Sequence, residues 1–262
     1  MSHRSQWIGM KGAPRTQSLS VNSPVNNYFA IGGSLVHDKI GPISESTIGF
    51  DVAYRIRVKR RQTISFGVKP TFTMFQANFR DVNLASDYYG ETDLDFEGVS
   101  TNFVIPNIGF GMYYYTGKMY IGLSSPKMVT SKIAKPGSVE YFQIKGRIAP
   151  TYYFMMGRNF KINRDLKFQP NILTRITLNA PISFGFHANF IYLKEITVGT
   201  FYQHQESIGL LFQWKFDRKW KIGYSLGFST NQFIQTNFGS HEIMLNYTLK
   251  HGRKRFVHPQ YF

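Results

Sequence analysis

The chain has 262 residues, with 31 Lys and Arg against 15 Asp and Glu, a formal net charge of +16, and no Cys. Without Cys there is no disulfide scaffold, no thiol nucleophile and no cysteine-ligated metal or iron–sulfur site. A hydrophobic content of 42% with 18% charged residues excludes a disordered chain, and no stretch approaches the ~18 consecutive apolar residues of a membrane helix.

The chain opens on Met1, Ser2, His3 and Arg4 with no apolar run behind a basic start, so the sequence shows no signal peptide. From there the pattern is alternation. Ile48, Phe50, Val52, Tyr54, Ile56 and Val58 fall on one parity, with Gly49, Asp51, Ala53, Arg55 and Arg57 on the other. Successive strand residues point to opposite faces, so this is a strand with one oily and one polar or small face. The pattern returns in Ile64, Phe66, Val68, Pro70, Phe72 and Met74, in Leu166, Phe168, Pro170, Ile172 and Ile176, and in Ile208, Leu210, Phe212, Trp214 and Phe216. It closes on Ile222, Tyr224, Leu226 and Phe228, then on Ile243, Leu245, Tyr247 and Leu249.

No segment has a helical period, and about fourteen strand-like runs are separated by turn chemistry such as Asn26-Asn27 and Thr116-Gly117-Lys118. Several runs reach ~10 residues, the length a tilted strand needs to cross a bilayer. The oily parity is rich in Phe, Ile, Leu and Tyr, while the other carries Gly, Ser, Thr and charge, as a wet lumen does. A soluble protein would leave that aromatic band in water. The expectation is an all-β, transmembrane, antiparallel up-and-down β-barrel of about 14 strands over residues 1–250, followed by a basic C-terminal tail, residues 251–262.

Connections divide into two sets. Short ones fall near residues 23–27, 59–62, 116–118, 158–166, 192–195 and 217–219; longer ones near 11–16, 37–46, 77–103, 125–141 and 231–241. Outer-membrane barrels have short periplasmic turns and long outer loops, which assigns the short set and both termini to the periplasm. Lys59, Arg60, Arg61, Arg218 and Lys219 then form a basic periplasmic rim, and Asp81, Asp87, Glu91, Asp93, Asp95 and Glu97 an acidic outer loop. Solvated turns account for such charge, as does a rim that docks an acidic partner. The lumen parity is also positive, through Arg55, Arg57, Lys69 and Arg175. It favours an anionic solute or acidic polypeptide, unless these cations pair with lumen acids.

The seven His show no ligand spacing, and there is no Walker A sequence, nucleophile elbow or dinucleotide fingerprint. No catalytic, cofactor or metal residues are expected, and the dispersed cations argue against a nucleic-acid interface.

Four blocks stand out: Arg4-Ser5-Gln6-Trp7-Ile8-Gly9, continuing through Lys11-Gly12-Ala13-Pro14-Arg15-Thr16; Val36-His37-Asp38-Lys39-Ile40-Gly41-Pro42; Pro106-Asn107-Ile108-Gly109-Phe110-Gly111; and Gly239-Ser240-His241-Glu242-Ile243. In this order they resemble the opening signature, two later elements and the last strand of the PorP/SprF family of outer-membrane proteins of the Bacteroidetes type IX secretion system. The resemblance implies a non-catalytic barrel, integral to the outer membrane, that serves secretion and gliding by binding a secreted adhesin through its C-terminal domain alongside other type IX components. Trp7, Lys11, Asp38 and Lys39 are then expected in outer turns, facing cargo or simply shaping the turns. A passive channel for small anions is the alternative function. Family members carry a signal peptide ahead of the first block, so Met1 is expected not to be the native start.

Overall fold

A computed structural model describes residues 1–78, 100–129, 132–133, 146–147, 149–178, 180–230 and 237–249. They form β1 (Ser2–Ser5), β2 (Arg15–Pro24), β3 (Phe29–Ile40), β4 (Ile43–Lys59), β5 (Gln62–Asn78), β6 (Ser100–Thr116) and β7 (Met119–Ser125). A small hairpin, β8 (Lys132–Ile133) with β9 (Gly146–Arg147), stands apart from the main sheet. There follow β10 (Thr151–Arg158), β11 (Phe160–Lys161), β12 (Leu166–Thr177), β13 (Ser183–Tyr192), β14 (Ile196–Gln203), β15 (Ser207–Trp214), β16 (Trp220–Ser229) and β17 (Ser240–Tyr247). No helix occurs among the described residues.

Every neighbour in the main sheet is antiparallel, β1 pairs with β17, and β7 passes the ladder through β10 to β12. The ring is therefore closed, with 14 wall positions, as the alternation predicts; β11 continues β10 rather than adding a strand. The interruption has a chemical cause. Residues 158–159 face Pro170 and Gln169 of β12, and Pro170 has no N–H to donate to the ladder. Pro70 breaks the β4–β5 ladder in the same way, where no pairing bridges Gly49↔Thr71 and Val52↔Val68.

The oily parity points outward. Ile48, Phe50, Val52, Tyr54, Ile56 and Val58 of β4 are all exposed, as are Val68, Phe72 and Met74 of β5 and Ile208, Leu210, Phe212 and Trp214 of β15. Such a continuous apolar band needs hydrocarbon as its solvent. Aromatics gather at its lower edge, where Phe29 packs on Tyr54 at 5.0 Å and Trp220 on Tyr247 at 4.4 Å between ring centres. Amphipathic rings of this kind suit the headgroup level.

Short turns are closed by side chains that mimic a backbone acceptor. Asn26 Oδ1 accepts the N–H groups of Tyr28 and Phe29, Asn163 Oδ1 those of Asp165 and Leu166, and Thr116 Oγ1 those of Lys118 and Met119. All three turns lie at one end of the barrel, together with Met1, whose amino group donates to the Leu245 carbonyl.

The opposite end departs from the expected long loops. Ile40 pairs with Ile43, so the connection expected over residues 37–46 is a two-residue turn at Gly41-Pro42, with Gly41 at φ +55°. The connection between β14 and β15 is also short, with three residues between the paired Gln203 and Ser207. At this end β4, β5 and β6, of 17 residues each, overtop the apolar belt. Asp38 and Lys39, expected in an outer turn, instead lie within β3 and point to opposite faces. The acidic run over residues 81–97 and the tail over residues 251–262 lie outside the described residues.

Candidate functional site

The lumen wall is built from the small and polar parity. Lys69 of β5 extends across β4 and donates to Ser34 Oγ of β3 at 2.8 Å, with Asp51 Oδ1 3.6 Å away. Arg55 donates through Nη2 to the Phe29 carbonyl, while its Nε is buried without a partner. Arg57 lies beside a register shift at the short-turn end of β4 and is exposed. Arg175 stands at the other mouth, where Nη2 donates to Glu206 Oε1 at 2.8 Å and Ser183 Oγ donates to the same oxygen. Two of the four lumen cations thus face carboxylates, Asp51 and Glu206.

Beyond β7 the chain leaves the wall and turns inward. Gly109 of β6 faces the lumen, and a Cβ there would lie 2.6 Å from the Pro126 carbonyl oxygen and 2.9 Å from its Cα. Only Gly admits that approach. One step along β6, Asn107 is buried and treats Val129 as a strand would. Its Nδ2 donates to the Val129 carbonyl at 2.8 Å, and its Oδ1 accepts the Val129 N–H at 3.0 Å. Met128 N–H donates to the Ile108 carbonyl, and Lys127 reaches Glu45 of β4 at 3.8 Å. Residues 126–129 are therefore pinned on the inner wall at four successive positions. A cavity of about 280 Å³ remains beside them, lined by Asp51, Ala53, Lys69, Gly111 and Ser124.

Above this segment the tall wall carries an inward apolar cluster. Phe75, Ala77 and Ile105 are buried, with Ile43 and Phe103 against them and the Phe75 and Phe103 rings 4.9 Å apart. The outer turns are also tied together. The β1–β2 connection, which holds Trp7 at φ 47° and Lys11, exchanges backbone bonds between Ile8 and both Phe238 and Gly239. Gly41 N–H donates to the Gly12 carbonyl, so the β3–β4 turn rests on the same connection.

Lys59, Arg60, Arg61, Arg218 and Lys219 are all exposed at the short-turn end, where Arg158, Lys161 and Arg164 join them. Sequence reasoning found this rim from turn positions alone. It did not find Asn107, Glu45 or Lys127, whose roles arise only when the chain returns to β6. The Asn107-Ile108-Gly109 stretch was visible, but a small residue in a strand does not announce what will lie on it.

Comparison with known proteins agrees with this architecture. The family described as type IX secretion system membrane protein PorP/SprF matches residues 1–247. No curated protein matches the chain at a significant level. The toluene transporter TbuX of Ralstonia pickettii aligns over 94% of this chain and 85% of its own at 13% identity and a TM-score of 0.51. A FadL homologue of Pseudomonas aeruginosa aligns over 89% and 78% at 14% identity and 0.48, and the NanC porin over 95% and 99% at 11% identity and 0.45.

Proposed function

Since the chain belongs to the PorP/SprF family of type IX secretion system membrane proteins, we propose that it is a non-catalytic outer-membrane barrel that binds and anchors a secreted surface adhesin through the adhesin's C-terminal domain. The observation that carries this reading is the tall wall of β4, β5 and β6, which rises beyond the lipid belt and offers cargo a rigid face at the outer mouth. Trp7, Lys11 and the tied outer turns form the rest of that mouth. The short-turn end faces the periplasm, and its rim of Lys59, Arg60, Arg61, Arg218 and Lys219 docks an acidic component of the secretion machinery by charge complementarity. A role in gliding follows where the anchored adhesin is the one that grips a surface.

Purification from native membranes in mild detergent, with mass spectrometry of what co-migrates, tests the reading. A large secreted protein or type IX components at fixed stoichiometry is the expected result; a barrel that stays alone at low salt sinks it. The alternative, a passive channel for small anions, draws on Arg55, Arg57, Lys69 and Arg175 along the lumen. The pairing of Lys69 and Arg175 with carboxylates and the inward segment at residues 126–129 weigh against it. Steady anion-selective conductance in planar bilayers would move the assignment to the channel.

A further inference from the structure

Outside the barrel, immediately above the apolar belt, the registers align polar residues into two rows. The lower runs His3↔Gln17↔His37↔Ser46 across β1 to β4, and the upper His241↔Ser5↔Arg15↔Lys39↔Ser44↔Gln76↔Asn102 across β17 and β1 to β6. The next row down is already lipid-facing, with Leu19↔Leu35↔Ile48↔Phe72. Arg15 and Lys39 are thus direct cross-strand neighbours on the outer surface, both exposed, with exposed His37 one row below. Like charges directly opposite each other destabilise a sheet unless something of opposite sign lies between them. Neither row holds a carboxylate. Asp38 and Glu45, the nearest acids in β3 and β4, point into the lumen, where Asp38 accepts from Thr16 and Glu45 meets Lys127.

We infer that Arg15 and Lys39, with His37 beneath them, bind a phosphate group of a lipid A-type glycolipid whose acyl chains lie on the Leu19, Leu35 and Ile48 belt. Two cations at one level supply charge-assisted donors to a phosphate, and the apolar surface directly below continues into the lipid-facing band. An anion at this level relieves the Arg15–Lys39 repulsion that the bare sheet leaves standing. Assignment to lipid A rather than to a glycerophospholipid rests on the orientation proposed above, with the short turns in the periplasm. Binding by the purified barrel does not depend on orientation, so the two ideas fail separately; surface labelling of Lys39→Cys in whole cells decides orientation.

The test is native mass spectrometry of the detergent-solubilised full chain, titrated with bisphosphorylated lipid A, with the same lipid dephosphorylated, and with phosphatidylglycerol. Bisphosphorylated lipid A is expected to bind about tenfold more tightly than the dephosphorylated form, as loss of a charge-assisted contact implies. The Arg15→Ser/Lys39→Ser double variant should lose a similar factor, and Arg15→Lys/Lys39→Arg should largely restore it. Equal retention of the dephosphorylated lipid overturns the proposal, as does phosphatidylglycerol binding as well as lipid A. Where the double variant does not fold, the lipid comparison on the unaltered protein decides alone.

Discussion

Gly109 and Asn107 show how two side-chain choices hold a piece of chain inside a barrel. At Gly109 the absent Cβ leaves room for Pro126, and at Asn107 an amide supplies one donor and one acceptor to Val129. Gly109→Ala should cost about 1–3 kcal/mol through overpacking against backbone that has nowhere to move. Asn107→Ala should cost about 2 kcal/mol, roughly one for each of its two hydrogen bonds to Val129. Denaturant titration measures both, and trypsin cleavage after Lys127 gives a local readout that should accelerate in each variant. Unchanged cleavage at Lys127 in both would mean that residues 126–129 are held by something other than these contacts.

Within a single strand, the two faces answer to different solvents. Leu210 stands near the middle of the outward face of β15, whereas Ser20 of β2 faces the lumen. Leu210→Arg should destabilise by about 2–4 kcal/mol, the cost of a charge near the bilayer midplane, while Ser20→Arg should change stability by less than about 1 kcal/mol. Folding titrations into lipid vesicles separate these, and equal costs would contradict the lipid-facing assignment. The alternation of Ile48 through Val58 made this much readable without coordinates, because a period of two depends only on the strand itself. Other features depend on partners. Asp38 and Lys39 read as turn residues because His37-Asp38-Lys39 is polar on both parities. In fact β3 has simply risen above the belt, where both faces are wet. The tight Gly41-Pro42 turn was hidden for the same reason, since polar strand and loop look alike once no face is in lipid. The inward path of residues 126–129 had no local signal at all.

For the molecule as a whole, the cations of the short-turn end stand apart from the ion pairs of the lumen and the other mouth. The former include the exposed Lys59, Arg60, Arg61, Arg218 and Lys219, and the latter are those of Lys69, Lys127 and Arg175. Reversal of the rim, as Lys59→Glu/Arg60→Glu/Arg61→Glu, should leave the barrel folded and heat-modifiable on gels while weakening its recovery with partner proteins several-fold. That loss should be mimicked by raising salt, because rim contacts are screened. Recovery that ignores both the reversal and the salt would remove the rim from the interface. Bilayer conductance supplies the complementary measurement. The unaltered chain should be nearly silent, and Gly109→Leu should admit current by displacing residues 126–129.

The closed antiparallel ring also has a bookkeeping consequence for anyone attaching a reporter to it. With an even number of wall positions, Met1 and Tyr247 leave the barrel on the same side. An epitope joined to either end therefore samples one compartment, and an epitope spliced between Gly41 and Pro42 samples the other. Strands can be gained or lost only as hairpins if that parity is to survive. The two addresses stay opposite however the loops between them change.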